Sequence, residues 1–374
     1  MIYLDYSATT PVLECVLDSY VKVTRDFIGN ANSIHTLGVK SKELMMKATK
    51  QISECLGCSF REIIYTSGAS ESNSTAIKGV AFKYKNRGKH IITSKLEHKS
   101  VLETMKYLEG IGYEISYCPL NKDGSLNMNA LENLVREDTI LVSFCSVNSE
   151  IGMRTSLKTI RQILNKKNKL TIFHSDMTQA LGKIKLNLED VDLASFSSHK
   201  IYSPKGIGIL YKKENIDIEP LIWGLTDNCP FRGGTPALPL IVSFSKGIRI
   251  ATEELEENIR KVEVLNNKLK EGLSDLKLHI NSNNVCIPQI FNLSLVKIKS
   301  ETFVRALEKE EVYISTTTAC SSLEPSVLLN ELTDDKSIST TSIRISISPY
   351  TTNDEIDRFL VAFHKTYDSL LLKE

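Results

Sequence analysis

The chain has 374 residues, enough for a large domain with a smaller one built on it and for a sizeable buried core. Its 46 Lys and Arg against 45 Asp and Glu leave a formal net charge of +1, so no overall field favours nucleic acid or an acidic membrane as partner. The opening MIYLDYSATTP lacks the charged stretch and apolar run of a secretion signal, and no later apolar run approaches the roughly 20 residues that span a bilayer. The eight cysteines are scattered rather than paired, which suits reduced thiols, so the expected location is the cytoplasm.

Between about residues 60 and 215, short β-branched runs alternate with helix-period segments. In chain order the predicted strands are EIIYTSG, HIITSK, YEISYC, TILVSFC, LTIFHSD, LASFSS and GILYKK, with helices such as VLETMKYLEGI, MNALENLV and SLKTIRQILNKK between them. This rhythm predicts an α/β fold with a mostly parallel sheet flanked by helices. Ligands of such sheets bind at the carboxyl ends of the strands. A long helical stretch from residue 238 to 273 then leads into new strands and helices and predicts a connector to a smaller C-terminal domain. No second cysteine or histidine pair follows Cys55-Leu-Gly-Cys58 at ligand spacing, so no metal site is expected.

Three strand ends carry groups whose chemistry belongs together. Gly68-Ala69-Ser70-Glu71 opens a helix after EIIYTS, where free N–H groups and a hydroxyl can hold a phosphate. Asp176 ends LTIFHSD, with Gln179 three residues on; a carboxylate there suits a protonated pyridine nitrogen. His199 and Lys200 follow LASFSS, and a lysine in a cleft forms a Schiff base once its surroundings lower its pKa. Phosphate cradle, carboxylate and lysine are together what a fold-type-I pyridoxal-phosphate site requires.

The segments YLDYSATTPV, EIIYTSGASES, GKHIITSKLEHKSVL, VNSEIG, HSDMTQALGK, SFSSHKIYSPKGIG, RGGT, ACSSLEPS and SIRISIS resemble, in the same order, the cysteine desulfurases of the class V aminotransferase family. The resemblance spans nearly the whole chain and is strongest in SFSSHKIYSPKGIGILY. It implies a large cofactor-binding domain over residues 13–250, with a mostly parallel seven-stranded sheet. Residues 1–12 and 251–374 would form a smaller α+β domain carrying the catalytic cysteine loop.

The resemblance also implies roles. Lys200 holds pyridoxal 5'-phosphate and moves the substrate Cα proton, Asp176 pairs with the ring nitrogen, Gln179 bonds the ring hydroxyl, and His98 stacks on the ring. Ala69, Ser70, Ser197 and His199 contact the phosphate, and Thr235 reaches in from the neighbouring subunit of a homodimer. Arg344 reads the carboxylate of L-cysteine, and Asn148 and Ser149 lie close to substrate and ring. Cys320 takes the sulfur as a persulfide for an acceptor protein in iron–sulfur cluster assembly or tRNA thiolation, with release of alanine. Selenocysteine lyase chemistry, or a catalytically weak scaffold for a sulfur-transfer partner, are the alternatives. The chain departs from the family pattern at Ser149, in Gly224–Phe231, in Ile345–Ser348 and in a loop after Cys320 shorter by about two residues.

Overall fold

The computed structural model describes residues 1–225, 230–316 and 326–372; Cys320 lies outside the described residues. A seven-stranded sheet is built from Ile63–Thr66, His90–Thr93, Glu114–Tyr117, Thr139–Ser143, Ile172–Asp176, Leu193–Ser197 and Gly208–Lys212, the seven strands expected from the sequence. From one edge the order is 63–66, 208–212, 193–197, 172–176, 139–143, 90–93, 114–117. All neighbours run parallel except that 208–212 is antiparallel to both of its partners.

Alternation along the strands explains why both faces are covered. Ile91, Leu141, Ile172, Leu193 and Leu210 point to one apolar core, which includes Ala76, Ile77, Val80 and Ala81 of the helix Ala69–Lys83. Ile92, Val142, Phe173, Ala194 and Ile209 point to the other, which takes in the helices Thr36–Leu56 and Leu238–Glu253. Strands buried on both faces are the rule where helical crossovers connect a parallel sheet.

A second sheet is antiparallel, in the order Ser315–Thr316, Ser342–Ser346, Ile290–Ser294, His279–Ile280. Its core gathers Ile2, Leu4, Val262, Leu269, Phe291, Phe303, Ile343, Phe359 and Phe363. The helical stretch expected to run unbroken from 238 is two helices, Leu238–Glu253 and Leu255–Gly272, with Glu254 between them. The break has a packing cause. Ile241, Phe244 and Ile248 belong to the first core, whereas Val262, Leu265 and Leu269 belong to the second, so the buried stripe changes partner at Glu254.

The N-terminal segment joins the two sheets. Ile2–Tyr3 pairs in parallel with Val312–Tyr313, and Ser346 N–H donates to the Leu4 carbonyl at 2.7 Å. A few residues on, Thr10 N–H donates to the His199 carbonyl at 2.9 Å, beyond the end of the 193–197 strand. Residues 5–9 therefore bridge from one sheet to the carboxyl end of the other. Among the described residues no helix is long and apolar enough to cross a membrane.

The ring of Phe363 is fully buried, with centroids 4.7 Å from Phe303 and 5.7 Å from Phe359. Phe363→Ala should cost about 3–5 kcal/mol of stability through lost burial and the cavity left behind. Val361→Ala, on the exposed face of the same helix, should stay within about 0.5 kcal/mol. Urea denaturation of both variants checks the pair; equal losses would contradict this placement of the core.

Candidate active site

Lys200 closes the single turn Ser198–Lys200 that follows the strand Leu193–Ser197. The turn is pinned from both sides. Ser198 Oγ donates to the Ile207 carbonyl at 2.9 Å, Thr10 Oγ1 donates to the His199 carbonyl at 3.0 Å, and Tyr202 N–H donates to Thr10 Oγ1 at 2.7 Å. Tyr202 has a φ of 59°, a left-handed conformation that a bulky residue keeps only when its neighbours enforce it. From this base Lys200 Nζ donates to the carbonyls of Ser7 at 2.5 Å and Ala8 at 2.6 Å. His199 Nδ1 lies 3.2 Å from Thr9 Oγ1, and burial, aided by the Lys200 charge, lowers its pKa to about 4. The imidazole is therefore neutral near pH 7.

Asp176 ends the neighbouring strand. Its Oδ1 accepts from Thr178 N–H at 2.9 Å, and its Oδ2 accepts from Asn73 Nδ2 at 2.7 Å. Asn73 Nδ2 also donates to Ser100 Oγ at 2.9 Å, which lies 2.9 Å from His98 Nδ1. A hydrogen-bonded chain thus links Asp176 to His98, which caps the helix Lys99–Gly110 by accepting from Ser100 N–H at 3.1 Å. Because Nδ1 accepts from an N–H, the neutral ring carries its proton on Nε2. Burial pushes the His98 pKa down, opposed by the nearby Asp176 charge.

Gln179 turns its Nε2 to the Ser7 carbonyl at 2.9 Å, the carbonyl that also receives Lys200. Its Oε1 accepts from Lys183 Nζ. Burial, followed by the charges of Lys200 and Arg344, lowers the Lys183 pKa to about 7. Arg344 lies on the strand Ser342–Ser346 and is 3% exposed, with Nη1 donating to the Ser149 carbonyl at 2.9 Å and Nη2 paired with Asp5 Oδ1 at 2.8 Å. Its buried Nε–H has no acceptor among the described residues. Asn148 is committed to the main chain: Oδ1 accepts from Glu150 and Ile151 N–H at 2.8 and 2.9 Å, and Nδ2 donates to the Leu96 carbonyl at 2.9 Å. That turn presents the Ser149 carbonyl to Arg344.

The helix Ala69–Lys83 starts at Gly68 without a side-chain cap, which leaves the first N–H groups at Ala69 and Ser70 open to a ligand. Backbone packing here is close. A Cβ on Gly208 would fall 2.7 Å from Gly68 Cα and 2.6 Å from the Phe196 carbonyl oxygen, and a Cβ on Gly68 would lie 3.8 Å from Ser197 Oγ. Thr235 lines a different cleft of about 770 Å³, with Thr66, Ser67 and Arg232 on its walls.

Lys200, His199, Gln179 and Arg344 thus meet the N-terminal segment, His98 lies within reach of the Asp176 and Lys200 charges, and the Ala69–Ser70 helix end lies beside Ser197. Sequence reasoning missed Asn73, Lys183 and Asp5. Asn73 had a signal: it lies four residues after Ala69, on the same helix face. Lys183 likewise stands four residues after Gln179, whereas Asp5 gave no sign of its role before its partner strand was placed. Glu97, also missed, is buried beside Cys145 and Asp176; burial raises its pKa to about 8, so it is mainly neutral at pH 7.

The sequence profile described as aminotransferase class-V matches residues 2–359. The cysteine desulfurase IscS of Salmonella paratyphi B is 41% identical over 367 residues, covering 95% of this chain and 90% of that protein. Among solved structures, a NifS-like protein superposes with a TM-score of 0.93 at 37% identity, covering 99% of both chains. The structure described as SspA in complex with cysteine gives a TM-score of 0.83 at 30% identity, covering 94% of this chain and 100% of that one. With the profile spanning nearly its full length, this chain belongs to the class V aminotransferase family.

Proposed function

We propose that the protein is a pyridoxal-phosphate-dependent cysteine desulfurase that converts L-cysteine to L-alanine and passes the sulfur through Cys320 to an acceptor protein. The observation that carries this reading is the convergence of Lys200 and Asp176 from adjacent strand ends, beside an uncapped helix N-terminus. The donor set fits the cofactor. Ala69 and Ser70 N–H groups, with Ser197 and His199, suit a phosphate. The Asp176 carboxylate, oriented by Asn73 and Thr178, suits a protonated ring nitrogen, and Gln179 suits the ring hydroxyl. When bound, pyridoxal phosphate supplies the electron sink for the charge left at Cα.

The chain's own groups do the rest. Lys200 would hold the cofactor and would serve as the base at the substrate Cα proton. Asp176 would pair with the ring nitrogen and favour its protonated form. His98, with its proton on Nε2, would stack on the ring and donate that proton. Arg344 offers its unpaired Nε–H to the substrate carboxylate while Asp5 and the Ser149 carbonyl hold the guanidinium in place. The Cys320 thiolate attacks the substrate sulfur, an S–S bond forms, the substrate C–S bond breaks, and protonation of the remaining carbon skeleton gives alanine.

In this reading residues 13–250 bind the cofactor, while residues 1–12 and 251–374 form the smaller domain that presents Cys320. A homodimer brings the partner's Thr235 to the phosphate. An iron–sulfur scaffold or a tRNA-thiolating enzyme is the kind of protein that would collect the sulfur.

Incubation with L-cysteine should add one sulfur atom to the Cys320 peptide by mass spectrometry and release alanine. Cys320→Ser should abolish both while leaving the cofactor's visible band intact; sulfur on another cysteine with alanine still released would refute the choice of nucleophile. Arg344→Lys keeps a cation beside Asp5 but removes the planar fork. It should raise KM for cysteine about 10- to 150-fold, the worth of one charge-assisted hydrogen bond, with the spectrum unchanged. An unchanged KM would remove Arg344 from substrate binding.

A further inference from the structure

Gln179 has two different neighbours. Lys183 Nζ lies at its Oε1, and the Ser7 carbonyl lies at its Nε2. The ends of an amide are almost identical in shape but opposite in hydrogen bonding, so an isolated glutamine in a pocket can turn either way. An ammonium removes that freedom, because it has three donors and no acceptor. A charged Lys183 can meet only Oε1, and Nε2 must then face Ser7 and Lys200.

The position of Lys183 is itself imposed by the chain. Gly182, with a φ of 71°, sits where a Cβ would come 2.9 Å from the Ala251 Cβ and 3.3 Å from Ile201 Cγ2. Lys183 N–H donates to the Ala180 carbonyl at 3.0 Å, which completes a turn that folds the lysine back over Gln179. Lys183 and Lys200 both line one small cavity of about 30 Å³, together with Tyr6, Ser7 and Tyr202.

We propose that Lys183 is a positioning residue that fixes the Gln179 amide with its N–H toward the ring hydroxyl of the cofactor, so that this oxygen is held as an anion. The inference rests on the cofactor reading above. It names a task for a lysine that neither binds substrate nor anchors the cofactor. Burial first, and then the charges of Lys200 and Arg344, lower the Lys183 pKa; a ring-oxygen anion at Gln179 would favour the charged ammonium and so strengthen the arrangement. Without Lys183 only the Ser7 carbonyl holds the amide, and a turn of its oxygen toward the ring oxygen costs less. Two facing acceptors repel, and the ring oxygen then retains its proton.

The test is the absorbance of the lysine-bound cofactor, which reports the protonation of the ring oxygen independently of turnover. Wild type, Lys183→Met, Lys183→Arg, Gln179→Leu and the Gln179→Leu/Lys183→Met double variant are loaded with pyridoxal phosphate. Covalent loading is verified by borohydride reduction, and spectra are taken across pH. Lys183→Met should move the ratio of the near-ultraviolet to the visible form toward the protonated species by at least about tenfold, the worth of a charge-assisted hydrogen bond. Lys183→Arg should restore the wild-type spectrum, and in the Gln179→Leu background loss of Lys183 should add nothing. If Lys183→Met does not fold, Lys183→Gln makes the same comparison.

A wild-type spectrum in the Lys183→Met or Lys183→Gln protein would overturn the proposal. So would an equal shift with and without Gln179, which would mean that the lysine acts by charge alone. Failure of the wild type to take up the cofactor covalently would overturn the underlying cofactor reading as well, and is distinguishable because it does not depend on Lys183.

Discussion

The arrangement of the site hangs on two main-chain carbonyls, those of Ser7 and Ala8, which receive the Lys200 ammonium. Carbonyls turned from water demand donors, and the half-buried Lys200 amino group finds its acceptors there, so each stabilises the other. The segment that carries them is fixed at both ends, by the Leu4 carbonyl on the second sheet and by Thr10 against His199 at the first. Gln179 reaches the same Ser7 carbonyl. A displacement of residues 5–9 would therefore move Lys200, Gln179 and the Asp5 partner of Arg344 together.

The charges around this segment are closely matched, with one group poised between states. The basic groups are Lys200, Arg344 and Lys183, the last with its pKa lowered to about 7 and so only about half charged at neutral pH, and the carboxylates close to them are Asp5 and Asp176. The other acids and bases nearby are uncharged near pH 7: burial holds His199 at about 4, keeps His98 low and raises Glu97 to about 8. Fixed charges are thus close to balance, and Lys183 gains its proton most readily when an anion binds beside it, which suits the phosphate, ring oxygen and carboxylate of the proposed ligands. Asp176, at a strand end, suits the one positive atom of the proposed cofactor ring.

Much of this was legible in the residues. The β-branched runs marked all seven strands of the large sheet, and the residues just beyond them supplied Asp176, His199 and Lys200, because strand ends are where an α/β sheet exposes side chains to a ligand. Alternation does not report strand direction, so the antiparallel course of Gly208–Lys212 was not read. The short connection from Ser197 to Gly208 contained it, since a parallel crossover needs about a dozen residues or more. The helical period likewise ran straight through Glu254, where the buried stripe changes cores. Asn73, Lys183 and Asp5 escaped because each acts through another side chain that only folding brings near.

The central claim is that Lys200, rather than the buried Lys183 beside it, carries the cofactor. Borohydride reduction of the holoenzyme followed by peptide mass mapping tests it most directly. The account predicts that the reduced pyridoxyl-phosphate group is found on the peptide containing Lys200 and that none forms in Lys200→Ala. Its recovery on Lys183 or on any other lysine of the wild-type protein would contradict the account.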